Sequence, residues 1–287
     1  MPPYPMRLKR ADDTTTGAAT ERLSPKQGDL PKRERRAYDV VVALTVAEIR
    51  ASRDITIGGL LKWMLEPLSY MFVYFVLVAS ILIRAQFGGA YPLFLLCALV
   101  PFRFFTGAVN GSMSLIQRFS NVVANIPLPK VLLPLVHLMV EAANLLVAFL
   151  LFLPMVVIYD TDVWPSILWL PVILVSLVLL TAGPTYLGTL FGLYYPDLRG
   201  VAQNLIRAAF FVSTGLVAMK AVPGDELRLL IRANPLSGVF DSFRSVFLHG
   251  TTPDLFDLVY PPFVGLVLLT IALPLFRARE ARIPKEV

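Results

Sequence analysis

The chain has 287 residues, of which 56% are hydrophobic and 16% charged, with a mean hydropathy of +0.67. A soluble domain of this length carries more charge and less apolar surface, so the composition is that of an integral membrane protein. The formal net charge of +6 does not point to nucleic acid, because most basic residues flank apolar blocks where anionic lipid headgroups would meet them, and the single cysteine, Cys97, excludes an intrachain disulfide or a cysteine-based metal cluster.

Residues 1–36 are rich in Pro, Thr, Lys and Arg and hold no apolar stretch long enough for a signal-peptide core, which predicts a disordered tail that is not exported. From Ala37 to Arg50 the residues Tyr38, Val41, Val42, Thr45 and Ile49 fall on one face, with Asp39, Glu48 and Arg50 off it. That pattern predicts an amphipathic helix in the membrane surface within residues 37–59, ended by Gly58 and Gly59.

A six-span transmembrane domain is predicted over residues 60–278. About 20 apolar residues are needed to cross a ~30 Å hydrocarbon core, and the spans fall at about 60–83, 92–111, 131–158, 163–196, 205–222 and 258–276. The run from Val163 to Pro196 has no charged residue and carries Trp164 and Trp169 at one end and Tyr194 and Tyr195 at the other, so it reads as one long tilted helix. The fifth span is interrupted by Arg207 and Lys220. With the N-terminus inside, the cytoplasmic pieces hold more Lys and Arg than the outer ones, which predicts cytoplasmic termini and a short cytoplasmic tail at 279–287.

The stretch from Ser112 to Pro134, between the second and third spans, is the one the other segments converge on. Leu115, Phe119, Val122, Val123 and Ile126 recur at helical spacing, while Gln117, Arg118, Asn121 and Asn125 project elsewhere, and Pro127, Pro129 and Pro134 limit the helix. Such a loop helix serves either as a contact for a separate motor protein or as an anchor at the lipid surface. Between spans five and six, Asn234-Pro235 is a helix start, followed by Leu236, Val239, Phe240, Phe243 and Phe247 on one face. This helix is expected to sit half in the membrane, as a gate or as a simple surface lid.

No GxxxxGK[ST] phosphate loop occurs, so the chain lacks the usual backbone cradle for ATP, and His137 and His249 stand alone without a metal-ligand motif. The informative charges are Arg103 and Glu141, each about 15 Å into its span at ~1.5 Å per residue. A lone charge there costs at least ~2.5 kcal/mol, so the two are expected to pair, as a clamp between helices, or else Arg103 meets an anionic lipid phosphate. Tyr70 and Tyr74 on span one, and Phe102 and Phe105 beside Arg103, offer ring faces suited to the CH faces of sugars, although packing alone would also account for them.

The order and wording of several segments resemble the transmembrane subunit of type-2 ABC exporters of polyprenyl-linked polysaccharides such as O-antigen, teichoic acid, capsule and galactan. The similar stretches are AEIRASRD and GLLKWMLEP at span one, VPFRFF in span two and IPLPKVLLPL after the loop helix. YYPDLRGVAQNL after span four and NPLSGVFDSFRSVFL before span six continue the likeness, which covers about residues 37–280. The resemblance implies an all-α integral membrane protein with an N-terminal interface helix, a cytoplasmic coupling helix and outward-facing re-entrant gate helices.

By the same resemblance, Leu115, Gln117, Arg118, Phe119, Asn121, Asp197 and Arg199 would couple to the ATPase, and Tyr70, Tyr74, Phe102, Arg103, Phe105 and Glu141 would line a substrate tunnel. Asn234, Pro235, Phe240, Phe243 and Arg244 would belong to the gate helices. The resemblance further implies a homodimer with two ATPase subunits in the plasma membrane, surrounded by membrane lipids and moving a lipid-linked polysaccharide. It implies no cofactor in this chain, ATP and magnesium being held by the partner, no metal, and no nucleic-acid partner. An exporter of drugs or lipids of the same type, or an intramembrane enzyme acting on polyprenyl-phosphate sugars, are the alternative readings. Glu66 is similar to the capsule branch and PLPKVLLP to the O-antigen and teichoic acid branch, so the branch stays open.

Overall fold

The computed structural model describes residues 41–48, 65, 67–73, 76, 90–120 and 129–280. Tyr74, Asn121, the tails at 1–36 and 281–287 and most of the first predicted span lie outside them. The described residues of that span, 67–73 among them, are helical, as are residues 41–48. We label these α1 (41–48) and α2 (67–73).

Among the described residues four helices are long and apolar enough to cross a bilayer: α3 (Tyr91–Ser112), α5 (Leu132–Ile158), α6 (Ser166–Tyr194) and α10 (Leu255–Glu280). They coincide with the predicted spans two, three, four and six. The charge-free run is a single helix, as its composition predicts, and begins with a 3-10 turn at Ser166–Trp169. α5 keeps one 3-10 turn at Phe149–Leu151. Between α3 and α5 lies the short α4 (Leu115–Arg118), and between α6 and α10 come α7 (Arg199–Phe211), α8 (Asp225–Ala233) and α9 (Pro235–Phe247).

The fifth predicted span, about 205–222, differs from this. The helix starts earlier, at Arg199, and ends at Phe211; residues 212–218 form an irregular turn, Met219–Ala221 a 3-10 turn, and α8 and α9 then make a helical hairpin. The mean hydropathy of this stretch hides its breakers. Ser213 bonds locally instead of extending the helix, its Oγ donating to Phe210 O and accepting from Gly215 N, and Thr214 Oγ1 donates to Ser237 O of α9 at 3.3 Å.

α9 also departs from expectation. Its apolar face is as predicted, but Leu236 to Phe240, Ser242, Phe243, Arg244, Val246 and Phe247 are all buried. It lies within the bundle against α3, α6 and α10 and is not half exposed. Phe247 stacks on Phe152 with centroids 4.3 Å apart, and Phe243 faces Phe149 at 5.8 Å, so the aromatic residues face the third span and not open lipid. The exposed amphipathic partner is α8, of which Ile231 alone is buried.

α6 and α10 pack along their length. Their backbones approach so closely that a Cβ on Gly265 would stand 2.2 Å from Leu179 O and 2.4 Å from Leu180 Cα. Within a bilayer such small-residue contacts supply much of the packing energy, since lipid tails are as apolar as leucine. Gly265→Leu should therefore force the two spans apart at a cost of about 1–3 kcal/mol, read as a lowered thermal midpoint of the detergent-purified protein. An unchanged midpoint would mean the helices do not touch here.

Candidate functional site

Three groups of polar residues sit at different heights of the bundle. The first is at the end carrying α4, called here the loop end. Leu115 and Ile116 are buried in a small core with Leu133, Tyr186, Leu190, Ala272 and Phe276, and Phe119 packs against its edge. Gln117 and Arg118 face outward. Arg199, the first residue of α7, donates from Nη1 to Gln117 Oε1 at 2.8 Å and from Nε and Nη2 to Gly192 O near the end of α6. The fork of guanidinium donors suits two acceptors at once. Gly192 has no room for a side chain, because a Cβ there would meet Met113 O.

Arg118 Nη2 lies 3.7 Å from Glu48 Oε1, tying α1 to α4. Val41, Leu44, Thr45 and Glu48 are half-buried, whereas Val42 is exposed. Of the residues predicted to form a coupling surface, Leu115, Gln117, Arg118, Phe119 and Arg199 gather at the loop end, and Asp197 lies exposed in the turn before Arg199.

The second group lines a cavity of about 360 Å³ among α2, α3, α5 and α7. Tyr70, Phe102, Arg103 and Glu141 line it, as expected for a shared site, together with Asn110 and Arg207. Arg103 Nη1 and Glu141 Oε2 stand 2.7 and 2.9 Å from the point that a Cβ on Gly107 would occupy, so their charged ends are no farther apart than those distances together. Gly107 leaves the space that both fill. His137, one turn from Glu141, donates from Nε2 to Ala108 O at 3.2 Å and is a buried packing residue. Phe105 is the exception: it belongs to the hydrophobic core and is not among the residues lining the cavity.

The third group surrounds the broken stretch after α7. Asn234 accepts from Leu236 N at 3.1 Å, capping α9 as its Asn-Pro start predicts, and its Nδ2 donates to Ala209 O and Val212 O at 2.7 and 2.8 Å. Arg244 is buried; it donates from Nη1 to Asp241 Oδ1 at 2.8 Å and from Nη2 to Gly215 O at 3.1 Å, and it lies 3.5 Å from the centroid of the Phe94 ring. Phe240 and Phe243 are fully buried, and Pro235 is the first residue of the helix. Near its end, burial and then the charges of Lys220 and Arg244 hold the His249 imidazole below its usual range.

Several of these residues escaped the sequence. Asp241 stands three positions before Arg244, a legible helical pair, whereas the partnership of Arg199 with Gln117 spans 82 positions and leaves no local trace. Arg207 looks like a defect in an apolar segment until the cavity is seen.

The described helices define a multi-pass α-helical membrane protein. Its sequence is similar to that of the O-antigen export system permease protein RfbA of Myxococcus xanthus, 24% identical over 86% of this chain and 95% of the relative. The protein of the same name from Klebsiella pneumoniae is 23% identical over 85% and 93%, and the polysialic acid transport protein KpsM of Escherichia coli 25% identical over 84% and 93%. No family model matches the chain. The resemblance to polysaccharide-export permeases drawn from its motifs is the one these relatives carry.

Arg244 gives the sharpest local test. Arg244→Met leaves the half-buried Asp241 carboxylate without its guanidinium partner, and stability should fall by about 1.5–3 kcal/mol. Removing both charges, with Asp241→Leu added, should restore most of the loss in a thermal-shift measurement; a double variant as unstable as the single one would refute the pairing.

Proposed function

We propose that this chain is the permease subunit of an ATP-driven, type-2 ABC exporter that moves a polyprenyl-linked polysaccharide across the plasma membrane. The observation that carries the proposal is the end-to-end likeness to the O-antigen and polysialic acid transport proteins, which leaves little of either chain uncovered. The absence of a phosphate loop agrees with it, because a permease of this type draws on a separate ATPase.

On this reading two copies of the chain work with two ATPase subunits that hold ATP and magnesium, and both termini are cytoplasmic. The protein crosses the membrane six times, the first stretch and α7 with its irregular extension supplying the two crossings beyond the four long helices. The loop end then faces the cytoplasm and receives the ATPase, with Gln117, Arg118, Phe119, Asn121 and Asp197 at the contact. Tyr70, Tyr74, Phe102, Arg103 and Glu141 belong to the path of the glycan, and the α8–α9 hairpin to its outer gate.

The electrostatics support the middle part of this reading. A cavity holding Arg103, Arg207 and Glu141 is costly in hydrocarbon unless it serves as a polar passage or a helix clamp. Ring faces beside it, Tyr70 and Phe102, add surfaces on which sugars slide without a single tight site.

Co-reconstitution with an ABC ATPase partner tests the reading. Arg118→Ala and Phe119→Ala should each lower glycan export per ATP hydrolysed by about tenfold while leaving hydrolysis itself in place. Exchanging the charges, Arg103→Glu with Glu141→Arg, should recover assembly that either change alone impairs. Export that proceeds unchanged with residues 115–126 replaced by a Gly/Ser linker would remove the motor contact, and export without any ATPase would remove the whole reading.

A further inference from the structure

α7 is 13 residues long, about 20 Å at ~1.5 Å per residue. Phe210 is the one buried residue along it, and Val201, Leu205 and Phe211 are exposed. A helix with so little lateral burial is positioned by what holds its two ends. At its first residue the Arg199 guanidinium joins Gln117 of α4 to Gly192 O of α6. At its last turn the Asn234 amide takes Ala209 O and Val212 O, carbonyls that have no helical partner once the helix has stopped. Beside that joint Phe210 lies 4.7 Å from Phe102 of the cavity and 5.9 Å from Phe240 of α9, ring centroid to ring centroid.

We infer that α7 is a rod linking the loop end to the α8–α9 hairpin, with Arg199 and Asn234 as positioning residues at its two joints. The inference deepens the proposed function and rests on it for its purpose: a displacement of α4 by a motor would reach the hairpin through this helix, passing the cavity on the way. Rigid secondary elements carry coupling in this manner when both ends are tied to groups that move. Arg199 uses a forked head that lysine lacks, and Asn234 uses an amide donor pair that its capping oxygen does not need. Each joint can therefore be loosened separately from the fold.

Hydrogen–deuterium exchange on the full chain in lipid nanodiscs, with no ATPase present, tests the rod independently of the motor. Gln117→Leu and Arg199→Gln should speed exchange about tenfold not only at residues 113–119 but also at 212–216 and 231–237, with α6 and α10 unchanged. Gln117→Glu keeps an acceptor for Arg199 and should leave the hairpin at wild-type rates. In the other direction Asn234→Ser, which retains a capping oxygen for α9, should speed exchange at 115–118. A rise confined to the mutated end, or one spread evenly over every helix, would overturn the inference. Failure of ATP-driven export with intact exchange coupling would instead overturn the proposed function and leave the rod standing.

Discussion

The constraint on which the rest depends is the satisfaction of backbone polar groups where the helical path is broken after Phe211. An unpaired buried N–H or C=O costs several kcal/mol in hydrocarbon, so a chain can leave the helix inside a membrane protein only if side chains take over the bonds. Here they do. Asn234 holds Ala209 O and Val212 O, Arg244 holds Gly215 O, the Tyr91 hydroxyl donates to Leu216 O, and Ser237 Oγ accepts from Thr214 N and donates to Ile231 O. The donors come from α3, α9 and the turn before α9, which is why those elements must converge. The buried position of α9 follows from that convergence as much as from its phenylalanines.

The two ends of the bundle are held with different strengths. The Arg244–Asp241 pair joins a buried guanidinium, 4% exposed, to a carboxylate that is 26% exposed, at 2.8 Å, so removing the carboxylate leaves a buried charge short of its partner. The Arg118–Glu48 pair is 46% and 25% exposed, and an ion pair of that kind is worth about 0–1 kcal/mol. Between them, Arg103, Arg207 and Glu141 line a cavity that Gly107 opens by lacking a side chain. The cavity owes its shape to α3 and its charge to three helices.

Much of this was legible in the residues. The long helices α3, α5, α6 and α10 came from the length of their apolar runs, because crossing a bilayer demands a minimum number of apolar residues. The Asn234-Pro235 start of α9 came from capping chemistry, and the juxtaposition of Arg103 and Glu141 from the cost of isolated charge. What average hydropathy did not carry was the internal shape of these segments. The stretch at 205–222 is apolar enough to look like a span, yet Ser213, Thr214 and Gly215 break it, and the groups that make the break tolerable are far away in sequence. α9 was expected half in the membrane because it is amphipathic; its polar residues, Ser237, Ser242 and Arg244, bond to backbone within the protein and need no water. Phe105 was placed with Arg103 by nearness in sequence, although two positions along a helix turn a side chain by about 200°.

The break itself is open to direct observation by a cryo-electron microscopy map of the full chain in a lipid nanodisc, at a resolution that separates helical turns. The account predicts a helix ending at Phe211, with the Asn234 side chain against its last carbonyls and α9 enclosed by α3, α6 and α10. A helix running unbroken through Val222, with α9 lying on the membrane surface, would contradict it.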